Sequence, residues 1–191
     1  MYKRQPLIGF CGSPWTLAAY SIEGRSSKDF KKTIGFIKEN PDKAHLLLSK
    51  LTDACFLYLR KQVQAGADVI QIFDSWANIL DAEDLNNYSF QYIKSLINAL
   101  NNDSITSNIP IILFVRDPKC STESLLDTSA DCLSLYWSMN NFNIRLAENK
   151  TALQGNLDPK ILLESEDIIK KETHKLLEKF KDFPGYIFNL G

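Results

Sequence analysis

The residues best placed to do chemistry lie in Pro6-Leu-Ile-Gly-Phe-Cys-Gly-Ser-Pro-Trp-Thr-Leu-Ala-Ala-Tyr-Ser-Ile-Glu-Gly24. Leu7 to Phe10 is a short apolar run between Pro6 and Gly12, a pattern that suits a strand buried on both faces. Ser13 and Pro14 then open a helix, because serine is a preferred N-cap and proline fits the first helical position. A strand turning through glycine into a helix leaves unpaired backbone N–H groups at the strand's C-terminal end. Such groups favour anions, and in α/β proteins that end is where ligands bind. On spacing alone, an ordinary strand–turn–helix connection accounts for the same residues.

Other reactive side chains are scattered. Cys11, Cys55, Cys120 and Cys132 form no C-x-x-C pair, which argues for reduced thiols rather than a disulfide framework or a zinc knuckle. Cys11 sits close enough to the strand end to be a candidate reactive thiol, although a small residue there ordinarily serves packing. His45 and His174 stand alone on helices and read as a packing or surface residue and an exposed one. Asp74, Ser75 and Trp76 lie just beyond the end of a second apolar run, Val69 to Phe73.

The elements that position these residues alternate along the chain. Helical spacing predicts a helix over Lys28–Lys38 and a longer one over Pro41–Ala65, with Leu47, Leu51, Ala54, Leu57 and Tyr58 on one side. Gly66 ends it, and Val69–Phe73 follows as a strand. A helix over Ala82–Leu100, with Leu85, Tyr88, Tyr92 and Leu96 in register, precedes a strand over Pro110–Val115. Shorter helices near Thr122–Thr128 and Phe142–Glu148 flank a strand over Asp131–Tyr136. Thr151–Pro159 holds a short strand, Ser165 caps a helix to Phe180, and Gly185–Gly191 is the last strand. Six strands separated by helices call for a parallel sheet wrapped by helices. A (β/α)8 barrel needs eight.

Composition excludes several classes. With 191 residues, 45% hydrophobic, and a formal net charge of −1, the chain has the core of one domain and lacks the basic excess of a nucleic-acid binder. No apolar run approaches the ~20 residues that span a bilayer. Met1-Tyr-Lys-Arg-Gln5 is followed by no apolar signal region.

Gly9 to Gly24, G-F-C-G-S-P-W-T-L-A-A-Y-S-I-E-G, resembles the uroporphyrinogen decarboxylase segment G-F-x-G-[SA]-P-[WF]-T-[LV]-x-x-Y-x-x-E-G. Q-A-G-A-D-V-I-Q-I-F-D-S-W-A (Gln64–Ala77), A-L-Q-G-N-L-D-P (Ala152–Pro159) and P-G-Y-I-F-N-L-G (Pro184–Gly191) are similar to further hallmarks of that family, in the same order. The resemblance implies an α/β fold, an incomplete (β/α)8 barrel in which residues 1–191 supply about six of eight βα units, the third to eighth strands. It also implies a cytoplasmic homodimer in porphyrin synthesis, with no cofactor or metal and no nucleic-acid or membrane partner. The implied substrate is uroporphyrinogen III, whose four acetate side chains lose carbon dioxide to give coproporphyrinogen III. Tyr20 and Ser75 match the family's tyrosine and serine, which hydrogen-bond the substrate's carboxylates. The family's R-Q-A-G-R segment, its pyrrole-facing aspartate and its closing histidine match nothing between Met1 and Gly191, so no catalytic residue is assigned.

Three departures stand out. Asn78 replaces a usual glycine, Arg116-Asp-Pro-Lys119 stands where Lys-Gly is more common, and Tyr136 takes the place of a common aspartate. Arg25, Arg116 and Lys119 are candidate supplementary anchors for carboxylates, with a solvated loop charge as the ordinary reading of each. One alternative is a cobamide-dependent thiol methyltransferase of the same superfamily, which holds zinc on a His-x-Cys pair. Phe114-Val115-Arg116 occupies those positions and cannot ligate zinc in that way. Another is an inactive truncated or split-gene product. Six units would leave two open sheet edges, so the expected behaviour of the isolated chain is aggregation or a molten state without activity.

Overall fold

The computed structural model describes residues 5–25, 27, 29–139 and 141–191. Its strands are β1 (Ile8–Gly12), β2 (Val69–Asp74), β3 (Ile111–Val115), β4 (Cys132–Ser134), β5 (Ala152–Gln154) and β6 (Tyr186–Ile187). All five neighbouring pairs are parallel, and the strands lie side by side in chain order. Helices α1 (Pro14–Glu23), α2 (Lys31–Glu39) and α3 (Pro41–Gln64) fill the first crossover. The helical turn α4 (Ala82–Asp84), a π-helical stretch over Leu85–Phe90 and α5 (Gln91–Asn102) fill the second. Thereafter α6 (Thr122–Leu126), α7 (Ile144–Ala147) and α8 (Glu166–Phe180) separate the remaining strands. Sequentially ordered parallel βα units are the build of a (β/α)8 barrel, of which six units are described.

Local chemistry explains the first unit. The Ser13 hydroxyl accepts from the Thr16 N–H at 3.0 Å, and Pro14 occupies the first turn of α1. Gly24 ends the helix at φ 78°, a left-handed conformation that costs glycine little, with its N–H on the Tyr20 carbonyl. Cys11, Ile72 and Leu113 point toward the helices and join the core there. Phe10, Phe73 and Phe114 line the opposite face, with successive ring centroids 5.9 Å apart.

Several sequence expectations need correction. β1 is not buried on both faces: it is an edge strand, in which Gly9 and Cys11 are covered but Ile8 and Phe10 are exposed. The helix expected from Lys28 begins at Lys31, behind Phe30 in a left-handed conformation, and Lys28 itself lies outside the described residues, as do Met1 to Arg4. In α3 the buried stripe is Ala44, Leu48, Thr52, Cys55 and Leu59, whereas Leu57 and Tyr58 are 60% and 58% exposed. The helix expected over Ala82–Leu100 is interrupted by the π-helical stretch, whose wider turn brings Tyr88, Ser89 and Phe90 inward together. The last two strands are also shorter than expected, although an isolated bridge between Leu157 and Leu190 prolongs their pairing.

The outer side of β1 carries a side-chain substitute for a neighbouring strand. Gln62 of α3 accepts from the Phe10 N–H at 2.8 Å and donates to the Phe10 carbonyl at 2.9 Å. Gly9 makes room for this: a Cβ there would lie 2.6 Å from the Gln62 Oε1. His45 proves to be a packing residue, stacked on Tyr88 at 4.9 Å with its Nδ1 2.7 Å from the Tyr92 hydroxyl, and His174 is exposed.

Candidate functional site

The C-terminal ends of β1 and β2 are tied together by one buried carboxylate. Asp74 Oδ1 accepts from the Ser13 hydroxyl at 2.8 Å and from the Thr16 hydroxyl at 3.1 Å, and Oδ2 accepts from the Ser89 hydroxyl at 2.5 Å. The Thr16 oxygen in turn accepts from the Ser75 N–H at 2.9 Å. Burial pushes the Asp74 carboxyl above the usual range for an aspartate, while the three hydroxyls pull it back less strongly. This network fixes the first turn of α1 and the loop after β2 relative to each other. It is a scaffold, since Asp74 is fully buried.

The two sequence-assigned contacts lie on either side of that scaffold. Tyr20, 41% exposed, projects from the last turn of α1. Its ring meets Trp76 edge-on at 5.9 Å and Phe30 at 6.3 Å. Ser75, half-buried, opens the loop after β2, with its backbone N–H held by Thr16 as above. The two residues are therefore linked through Trp76, the neighbour of one and the ring partner of the other. Phe30 closes on the same indole at 4.4 Å, and the Trp15 Nε1–H donates to the Trp76 carbonyl at 3.0 Å. Trp76 Nε1 and Asn78 Oδ1 are buried with no hydrogen-bond partner among the described residues.

The three candidate cations separate clearly. Arg25 and Lys119 are exposed. Arg116 instead lies between two rings, its Cζ 5.4 Å from the Trp76 centroid and 5.9 Å from that of Tyr136. Tyr136 continues the aromatic row of the sheet, 6.4 Å from Phe114, and abuts Trp137 at 5.7 Å. A strip of rings thus runs from Phe10 through Phe73 and Phe114 to Tyr136, with a guanidinium at its end.

Cys11 does not face this site. It packs toward α3, where a hydrogen bond with Cys55 and burial push its thiol well up, so it stays protonated. All four cysteines are free, and burial holds Cys120 and Cys132 up at about 11 and about 12.

Sequence reasoning missed the roles of Thr16, Ser89 and Asp74. The S-x-x-T spacing after β1 was the available signal for the first; Ser89 is brought in only by the π-helical turn.

The pattern of the family described as uroporphyrinogen decarboxylase (URO-D) matches residues 1–191. The chain is 42% identical over 189 residues to the uroporphyrinogen decarboxylase of Alcanivorax borkumensis, covering 98% of this chain and 54% of that protein. The Pseudomonas fluorescens decarboxylase is likewise 42% identical, over 98% of this chain and 53% of its own length. The chain spans about half the length of the curated relatives it matches. A solved methyltransferase from Methanosarcina mazei superposes with a TM-score of 0.75 over all of this chain and 54% of its own, at 19% identity, a likeness of fold alone. With a matching family pattern along its whole length and relatives at 42% identity, this chain belongs to the uroporphyrinogen decarboxylase family.

Proposed function

We propose that residues 1–191 are part of a decarboxylase barrel domain that converts uroporphyrinogen III to coproporphyrinogen III in a cytoplasmic homodimer. In each of the four steps a proton adds to a pyrrole carbon and the ring becomes cationic. The bond between the acetate methylene and its carboxylate then breaks, carbon dioxide leaves, and the electron pair flows into the ring. Loss of the ring proton and protonation of the methylene leave a methyl group. The substrate supplies its own electron sink, so the protein's task is to bind, orient and stabilise charge.

The observation that carries this reading is the placement of Tyr20 and Ser75 around Trp76 at the strand ends, beside an aromatic strip that suits the face of a tetrapyrrole. In it, the Tyr20 and Ser75 hydroxyls donate to acetate or propionate carboxylates. The arginines and the carboxylate that the mechanism needs near the pyrrole nitrogens have no match in these 191 residues, so the chain assayed by itself is expected to give no coproporphyrinogen.

The test joins residues 1–191 to the part of the Alcanivorax borkumensis relative that they do not match and follows anaerobic decarboxylation. Tyr20→Phe and Ser75→Ala should each lower kcat/KM about ten-fold, because a hydrogen bond to a charged group contributes roughly 1.5–3 kcal/mol. Unchanged kinetics in both variants would refute the assignment.

A further inference from the structure

Arg116 is the one candidate cation whose position is set by the fold. Its backbone N–H donates to the Asp74 carbonyl at 3.0 Å, which extends the β2–β3 pairing by one residue. Arg116 is half-buried and takes part in none of the ion pairs among the described residues. The indole beneath it is itself braced by Phe30 and Tyr20, at 4.4 and 5.9 Å. On the Tyr136 side it faces a phenol ring, at the position where an aspartate is common in the family. Aromatic faces hold a guanidinium through its π-plane and leave its in-plane N–H edge free. That edge matches a carboxylate in a two-point hydrogen bond, which an ammonium cannot reproduce.

We propose that Arg116, clamped between Trp76 and Tyr136, is a carboxylate anchor of this face, binding one acetate or propionate group of the tetrapyrrole. The inference rests on the substrate reading above and adds to it a specificity residue supplied by the third strand of the sheet. Arg25 and Lys119 take no such role, because both are exposed and among the described residues neither lies over a ring.

The test is a titration of the joined protein described above with uroporphyrin, the oxidised octacarboxylic ring, and with the same ring carrying primary amides in place of its eight carboxyls. Porphyrin fluorescence anisotropy reports binding and circular dichroism reports folding. Arg116→Gln should weaken uroporphyrin binding about ten-fold, with the amide ring bound as in the wild type. Arg116→Lys should recover only part of the loss, and Lys119→Gln should change nothing. Equal loss of both rings in Arg116→Gln, or equal loss in Arg116→Gln and Lys119→Gln, would overturn the proposal in favour of a packing role or a diffuse charge effect. If Arg116→Gln binds like the wild type while Tyr20→Phe and Ser75→Ala weaken binding, Arg116 is excluded and the substrate reading survives. If the joined protein with wild-type residues 1–191 folds but binds neither ring, both fall.

Discussion

Asp74 illustrates how one side chain can organise a site without touching its ligand. Three hydroxyls from Ser13, Thr16 and Ser89 converge on a carboxylate that has no solvent exposure. Replacing it with alanine strands those donors, and each buried hydroxyl left without an acceptor costs roughly 1–3 kcal/mol. Asp74→Ala should therefore lower the melting temperature markedly. Asp74→Asn retains the shape and one acceptor. The pH dependence follows from the raised folded-state value. Between the ordinary aspartate pKa and the higher folded one, the native state holds a proton that the unfolded chain has released. The contribution of Asp74 to stability is thus fully present below the ordinary value and is lost as pH rises through the folded value. Stability of the wild type minus that of Asp74→Asn, measured across acid pH by denaturant titration, should fall as pH rises. A flat or rising difference would contradict the burial-dominated shift.

At the level of elements, the contact between α3 and β1 carries the most distinctive interaction. Edge strands present unpaired N–H and C=O groups that recruit other chains. Gln62 answers with an amide that both donates and accepts, as a paired backbone would. Gln62→Leu is expected to speed amide hydrogen exchange at Phe10 and to cost about 1–2 kcal/mol for the two lost bonds. Gln62→Glu, which can accept but not donate, should fall between. Exchange at Phe10 that is equally slow in all three proteins would show that the clamp contributes nothing. The orientation of α3 explains why its buried stripe escaped pattern reading. The helix is rich in leucine around its whole circumference, and Leu47, Leu51, Leu57 and Leu59 satisfy more than one helical register. Contact with α1 and α5 selects Leu48, Cys55 and Leu59 for the core.

Across the whole molecule, the apolar surface is unevenly distributed. Leu7, Ile8 and Phe10 are exposed at the β1 edge, and Ile187, Phe188 and Leu190 at the β6 edge. Both edges also retain strand geometry, so strand-to-strand association is the expected behaviour of this polypeptide at high concentration. Charging the β1 edge should oppose it: Phe10→Lys, at a position 61% exposed, is expected to shift sedimentation toward smaller species with little change in secondary structure. Unaltered sedimentation would locate the association elsewhere. The aromatic row stays partly exposed, with Phe10 exposed and Phe73, Phe114 and Arg116 half-buried.

The alternation of apolar runs with helical segments was enough to establish a parallel α/β sheet, since each strand needs covering and each crossover a helix. The Ser13-Pro14 cap was likewise legible, because capping depends on residues adjacent in the chain. Tyr20 and Ser75 enter through the family resemblance. The Asp74 network was not, because it joins positions 15, 58 and 61 residues apart. The clamp on Arg116 was not either: Trp76 and Tyr136 approach it only after three strands align in register. Local hydrogen bonding and hydrophobic period are written into neighbouring residues, whereas a site assembled across strands depends on sheet order and register, which only the tertiary structure decides.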